Sequence, residues 1–168
     1  YNVNIHDIRE AKAREKLNFW SGKIYEVKAP KIVVLGTDCG LGKRTTAKLI
    51  VENLQMNNVK SDMVYTGQTG WMQGWEYGFI FDSTLNDFVS GELERAIYEC
   101  YISKKPKYIL IEGQAALRNP SGPCGSEFLI SDNVDGVILQ HSPKRMFYDG
   151  WEHVNAVMPS LDSEIKLI

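Results

Sequence analysis

Between residues 31 and 47 the chain reads KIVVLGTDCGLGKRTTA: a short apolar run, a turn broken by glycines, then a lysine and two threonines heading a helical pattern. Ile32, Val33, Val34 and Leu35 are uninterrupted and partly β-branched, which predicts a strand buried on both faces of a parallel sheet. The chain must then reverse sharply. Gly36, Gly40 and Gly42 lack the Cβ that would obstruct that reversal, so successive N–H groups converge on an anion. Residues 43–56 carry Ala47, Leu49, Ile50, Val51 and Leu54 at helical spacing. The turn thus delivers its ligand to a helix N-terminus, with the Lys43 ammonium in reach of the outer phosphates.

The stretch reads as a phosphate-binding loop of variant spacing. Five residues rather than four separate Gly36 from Gly42, and Arg44 follows the lysine where GxxxxGK[ST] places a Mg²⁺-ligating hydroxyl. Thr45 or Thr46 would supply that hydroxyl instead. The candidate cradle comprises Thr37, Asp38, Cys39, Gly40, Leu41, Gly42, Lys43, Arg44, Thr45 and Thr46. Within it Cys39 reads as a small filler rather than a nucleophile, because no base stands beside it in sequence.

At 168 residues the chain is the size of one domain with a sizeable core. Its net charge of -2, with both signs intermixed, gives no electrostatic case for nucleic acid or an anionic membrane surface as partner. Three widely spaced cysteines, Cys39, Cys100 and Cys124, argue against a disulfide framework and for a reducing cytoplasm. No apolar stretch approaches the roughly 20 residues of a membrane span, and no signal peptide is evident.

Residues 1–30 show no buried strand and read as an arm or linker, docked through Phe19, Trp20 and Tyr25. The domain proper is then 31–168. A second strand is expected over 62–66, followed by GQTGWMQGWEYGF, a glycine-rich aromatic loop at the strand's carboxyl end, where open α/β sheets bind ligands. Gln68, Thr69 and Gly70 there are substrate-facing candidates. Asn86 or Asp87 is expected to cap a helix running through Tyr101, and Pro106 breaks the chain before a third strand over 108–111. That strand ends in Glu112-Gly113-Gln114, placing a carboxylate where it would hold Mg²⁺, with Gln114 beside it for substrate. Residues 118–133 read as a long lid or substrate connection, and 134–140 as a fourth strand ending at His141, read as structural before catalytic. Alternating strands and helices imply right-handed crossovers and a mainly parallel sheet covered on both faces.

Four motifs in order, GTDCGLGKRTTA, TGQTGWM, DFVSGELE and IEGQAAL, resemble the P-loop domain of a protein family, one branch of which bears the name D-glutamate (D-amino-acid) N-acetyltransferase. The likeness covers roughly residues 18–155 and implies a three-layer, P-loop NTPase-like α/β fold. More distantly, the GTD opening and strand-end EG are similar to dethiobiotin synthetase. That likeness implies Mg-ATP, with Lys43 and a threonine on the phosphates and Glu112 on the metal. Family members generally carry a preceding Rossmann-like domain and a longer C-terminal part, so the resemblance implies a fragment or a short variant.

Three functions follow as expectations. The first is Mg-ATP-dependent phosphoryl transfer or carboxylate activation on a small molecule, with Lys43 neutralising charge and Thr45 or Thr46 with Glu112 positioning Mg²⁺. Asp38 or Asp87 would add a further carboxylate, and Gln68 and Thr69 would face the second substrate. The second is acyl transfer from acetyl-CoA to a D-amino acid, with His141, Glu112 and Asp87 as candidate bases. The third is a nucleotide-responsive binding module without turnover. Exposed aromatics and apolar termini also predict a homo-oligomer.

Overall fold

The computed structural model describes residues 3–168, so the first two residues of the 1–30 arm lie outside the described residues. The expected central strand is β1 (Lys31–Gly36), and it leads through the glycine turn into α1 (Lys43–Met56). There follow β2 (Ser61–Tyr65), α2 (Gln68–Met72), β3 (Tyr77–Gly78), α3 (Asn86–Lys104), β4 (Tyr108–Glu112), α4 (Ser126–Ile130), β5 (Gly136–Gln140) and α5 (Leu161–Ile165). The strands form one sheet in the order β3-β2-β4-β1-β5, every pair parallel.

In β1 successive side chains point to opposite faces, and each face has its own core. Val34 packs with Ala47 and Val51 of α1 and with Met63, Tyr65 and Leu110. On the other face Val33 and Leu35 meet Leu93, Ala96, Ile97 and Cys100 of α3 and Phe128 of α4. An apolar strand without alternation is thus what a sheet covered on both sides requires. This is the three-layer α/β arrangement that the sequence implies.

The structure adds what periodicity does not reveal. The aromatic loop is not wholly irregular: it contains α2 and a two-residue edge strand, β3, so the sheet has five strands and not four. Likewise α4 interrupts the connection over 118–133. Neither Asn86 nor Asp87 caps α3; both lie inside its first turn, Leu85 is the N-cap without a side-chain bond, and the helix continues to Lys104.

The arm docks chiefly through its backbone and small apolar residues. Phe19 and Tyr25 stay exposed, although the Phe19 ring lies 4.4 Å from that of Phe88, whereas Ile24, Val27 and Ala29 are buried. Two buried carboxylates of α3 receive it. Glu92 accepts from Lys12 Nζ at 2.7 Å and from the Asn18 backbone and side-chain amides at 3.1 and 2.7 Å. Glu94 accepts from Ser21 N and Oγ, both at 2.7 Å, and from Ile24 N at 3.1 Å. Gly91 directly precedes Glu92, and the Asn18 carbonyl packs where its Cβ would stand. DFVSGELE is therefore an arm-docking surface. Among the described residues no helix is long and apolar enough to cross a membrane.

Candidate functional site

Because every strand is parallel, all carboxyl ends share one edge of the sheet, and the loops leaving β1, β2, β4 and β5 meet there. Gly40 and Gly42 have φ of 63° and 87°, the left-handed region open to glycine, and Gly42 caps α1. Thr37 N donates to Gln140 O at 3.0 Å, and Gln140 Nε2 returns to Leu41 O at 3.0 Å, tying the loop to the end of β5. The loop from Cys39 to Thr45 and the strand-end residues 112–115 enclose a cavity of about 340 Å³. That volume lies within the range of small-molecule sites.

Lys43 is buried, and its Nζ donates to Asp38 O at 2.8 Å and Ala115 O at 2.9 Å. Burial pushes its pKa below the ordinary lysine value, with Cys39 and Asp38 pulling the other way. The same burial pushes the Cys39 thiol up, against the pull of Lys43, so the thiolate a nucleophile needs is disfavoured. Gly36 lies close beneath: a Cβ there would stand 3.2 Å from both Lys43 Nζ and the Asp38 carbonyl oxygen and crowd the loop.

Glu112 closes the opposite wall. Its Oε2 accepts from Thr66 N at 3.0 Å and Oε1 faces Arg44 Nη1 at 3.9 Å. Burial raises its pKa, opposed by the Thr66 N–H and then by the Arg44 guanidinium. Arg44 Nε is buried and has no hydrogen-bond partner among the described residues. Arg44 lines the cavity, so its guanidinium is placed beside an anion bound there. Gln114 lines the cavity and donates from Nε2 to Thr66 Oγ1 at 2.8 Å.

The sequence candidates divide in space. Thr45 is exposed and lines the cavity; Thr46 is not in its lining. Thr45 and Glu112 together, one hydroxyl and one carboxylate, fit the sparse protein share of a Mg²⁺ site that phosphates and waters complete. Gln68 and Thr69 are half-buried at the start of α2, and Gly70 is buried against Tyr65, with Glu112 Oε2 3.3 Å from where its Cβ would be. Asp87 is exposed on α3, outside the cavity lining. Asp38 is wholly buried, and its carboxylate is occupied by Arg145 Nη1 and Asp149 N, both at 2.8 Å, and Asn119 Nδ2 at 3.3 Å. It lies outside the cavity lining and anchors the loop from behind. His141 Nδ1 lies 3.0 Å from Thr37 Oγ1.

Arg145, Asn119 and Gln140 are the residues that sequence reasoning passed over. Asn119 and Arg145 hold the loop from the connections after β4 and β5, where an amide or a cation reads as solvated surface, and Gln140 holds it from the end of β5. The only signal was position, beyond β4 and at or beyond the end of β5.

A buried parallel strand, a left-handed glycine turn and a lysine at the head of the following helix define a P-loop domain. The chain belongs to the family described as "Domain of unknown function (DUF1611_C) P-loop domain", whose pattern matches residues 18–168. It is 28% identical over 168 residues to a D-glutamate N-acetyltransferase of Pseudoalteromonas sp, covering 99% of this chain and 48% of that protein. With a D-glutamate N-acetyltransferase of Tritonibacter scottomollicae it shares 31% identity over 133 residues, 79% of this chain and 38% of that one. The chain spans about half the length, or less, of these curated relatives. A crystal structure of a DUF1611 family protein from Anabaena variabilis superimposes with a TM-score of 0.84 at 25% identity, over 96% of this chain and 45% of that chain.

Proposed function

We propose that the cradle at residues 37–46 binds the phosphates of acetyl-CoA, and that the domain is the cofactor-holding part of an N-acetyltransferase acting on a D-amino acid such as D-glutamate. The observation that carries this reading is Arg44. It replaces the usual metal-binding hydroxyl, lies 3.9 Å from the carboxylate that would otherwise face a metal, and lines the cavity. A fixed cation there neutralises phosphate without Mg²⁺. The names of the two curated relatives support the reaction class.

In the reaction the amine nitrogen forms a bond to the acetyl carbonyl carbon, the carbon–sulfur bond breaks, and the electron pair leaves on sulfur as the thiolate of coenzyme A. The amine's proton passes to a base and from it to the thiolate, giving the free thiol. Of Glu112, His141 and Asp87, Glu112 alone lines the cavity, and burial raises its pKa above the ordinary carboxylate value, which makes it a stronger base than a solvated carboxylate. Free cysteines, two of them buried, fit a reducing cytoplasm.

A second reading is Mg-ATP-dependent phosphoryl transfer or carboxylate activation, favoured by Thr45 and Glu112 lining one cavity. Lys43 would then sit beside the transferred group and Mg²⁺ would supply charge on the leaving oxygens. Release of free thiol from acetyl-CoA that depends on added D-glutamate supports the first reading. Nucleotide hydrolysis or product phosphorylation without thiol release removes it in favour of the second.

A further inference from the structure

The sheet ends on an unguarded strand. Among the described residues β5 pairs with β1 alone, whereas β1, β2 and β4 each have a neighbour on both sides. The far end of the sheet is closed by β3, which is only two residues long. β5 offers five, Gly136–Gln140, all of them half-buried. Native sheets blunt such an edge with charge, proline, a bulge or brevity. β5 uses none of these: GVILQ holds neither charge nor proline and runs in unbroken register against β1.

The free hydrogen-bonding groups of this edge follow from the ladder. Gln140 O accepts from Thr37 N, so Gln140, Ile138 and Gly136 turn their peptide groups towards β1. Val137 and Leu139, in alternation, turn theirs outwards, where nothing among the described residues pairs with them. Their side chains pack on the α3 core and that of Ile138 on the α1 core. The neighbouring flank of α1 is uncharged too. Gln55 Nε2 donates to Ser61 O of β2, which turns the opposite flank, an open groove with Leu49 and Ile50, towards β5.

We propose that β5 is the contact surface for a second copy of this chain, the two β5 strands pairing antiparallel about a two-fold axis at Ile138. A row of free N–H and C=O groups is complementary to another strand. Because β5 is the one edge of any length among the described residues, a second copy meets it with its own β5. In this register Val137 exchanges two hydrogen bonds with Leu139 of the second copy, Leu139 does the same with its Val137, and Ile138 stands beside its own counterpart. Just outside the strand, Asp135, whose side chain is half-exposed, comes opposite His141 of the second copy. A two-fold contact is closed, so assembly stops at two copies. It uses none of the exposed aromatics from which the sequence predicts an oligomer.

Sedimentation of the chain tests this. The mass should rise with concentration from 19.1 kDa towards twice that value. Val137→Pro removes an outward N–H and leaves the ladder to β1 intact, so it should raise the dimer dissociation constant at least about tenfold while far-UV circular dichroism stays that of the parent. Ile138→Cys brings two Cα atoms to about 4.5 Å, within disulfide reach, whereas the copies of Leu139→Cys stand diagonally at about 7–8 Å. Under mild oxidation the first should crosslink at least about tenfold faster than the second, a comparison that stands even if Val137→Pro does not fold. A mass of 19.1 kDa at every concentration up to about 1 mM overturns the proposal and leaves the edge to a strand of another chain. A dimer that folded Val137→Pro does not weaken, or equal crosslinking of the two cysteine variants, overturns it as well.

Discussion

Arg145 Nη1 donates both to Asp38 Oδ2 and to the carbonyl of Cys39, each at 2.8 Å, so one guanidinium nitrogen joins the phosphate loop to the segment after β5. Asp38 is fully buried, whereas the Arg145 side chain is 27% exposed. Removing the cation leaves a buried carboxylate held by Asp149 N and Asn119 alone. We predict that Arg145→Met costs about 1–3 kcal/mol, the upper end for a dry pair being reduced by solvent around the arginine. Urea denaturation measures it, and a change within about 0.5 kcal/mol would show that the contact does not hold the loop.

Gly91→Ala probes the docked arm. An added Cβ collides with the Asn18 carbonyl, which is backbone and cannot swing aside as a side chain would. The variant should lose about 1–3 kcal/mol and expose residues 12–24 to protease faster than the parent. Equal cleavage rates would mean that the arm does not rest on α3 in solution.

Asp132 is wholly buried with neither oxygen hydrogen-bonded, and burial, with Glu94 adding to it, raises its pKa well above the usual carboxylate value against the pull of Lys31. A carboxyl raised in the folded state binds its proton more tightly there than in the unfolded chain. Its contribution to stability is therefore greatest at low pH and is lost as pH rises from the unfolded pKa towards the folded one. Thermal unfolding of Asp132→Asn against the parent between pH 5 and 8 should show the parent losing ground as pH rises. Parallel curves would place Asp132 in contact with solvent or a partner.

The Lys43 pKa, lowered first by burial, makes ligand affinity fall with pH. Only the ammonium attracts phosphate, so binding should weaken as pH climbs from neutrality towards 10.5, the ordinary lysine value, beginning below it. Lys43→Arg, which keeps its charge throughout, should flatten that decline even if its affinity at pH 7 is lower. A decline identical in the variant would assign the titration to another group.

The fold was readable where burial leaves a one-dimensional trace. β1 and α1 announce themselves because a strand covered on both faces must be continuously apolar and the helix over it must repeat its apolar residues at helical spacing. β3 and α4 leave no such trace: two residues at a sheet edge, and five in a loop rich in Pro, Gly and Ser, are too few for a period to repeat. The cradle was likewise legible in its glycines, Lys43 and Glu112. The groups behind it were not, since Arg145 and Asn119 are joined to Asp38 across more than 80 residues of sequence. Glu92 and Glu94 are buried because the arm, more than 70 residues away in sequence, brings N–H donors to them.

We propose that residues 37–46 cradle the phosphates of coenzyme A, with Arg44 and Lys43 in the place of a metal. Isothermal titration of the chain with coenzyme A, with and without Mg²⁺, tests this most directly. Binding should be unchanged by Mg²⁺ and weakened about tenfold or more by Lys43→Ala and by Arg44→Ala, each of which removes charge-assisted contacts worth about 1.5–3 kcal/mol. No heat with coenzyme A, together with binding of ATP that requires Mg²⁺, would contradict it.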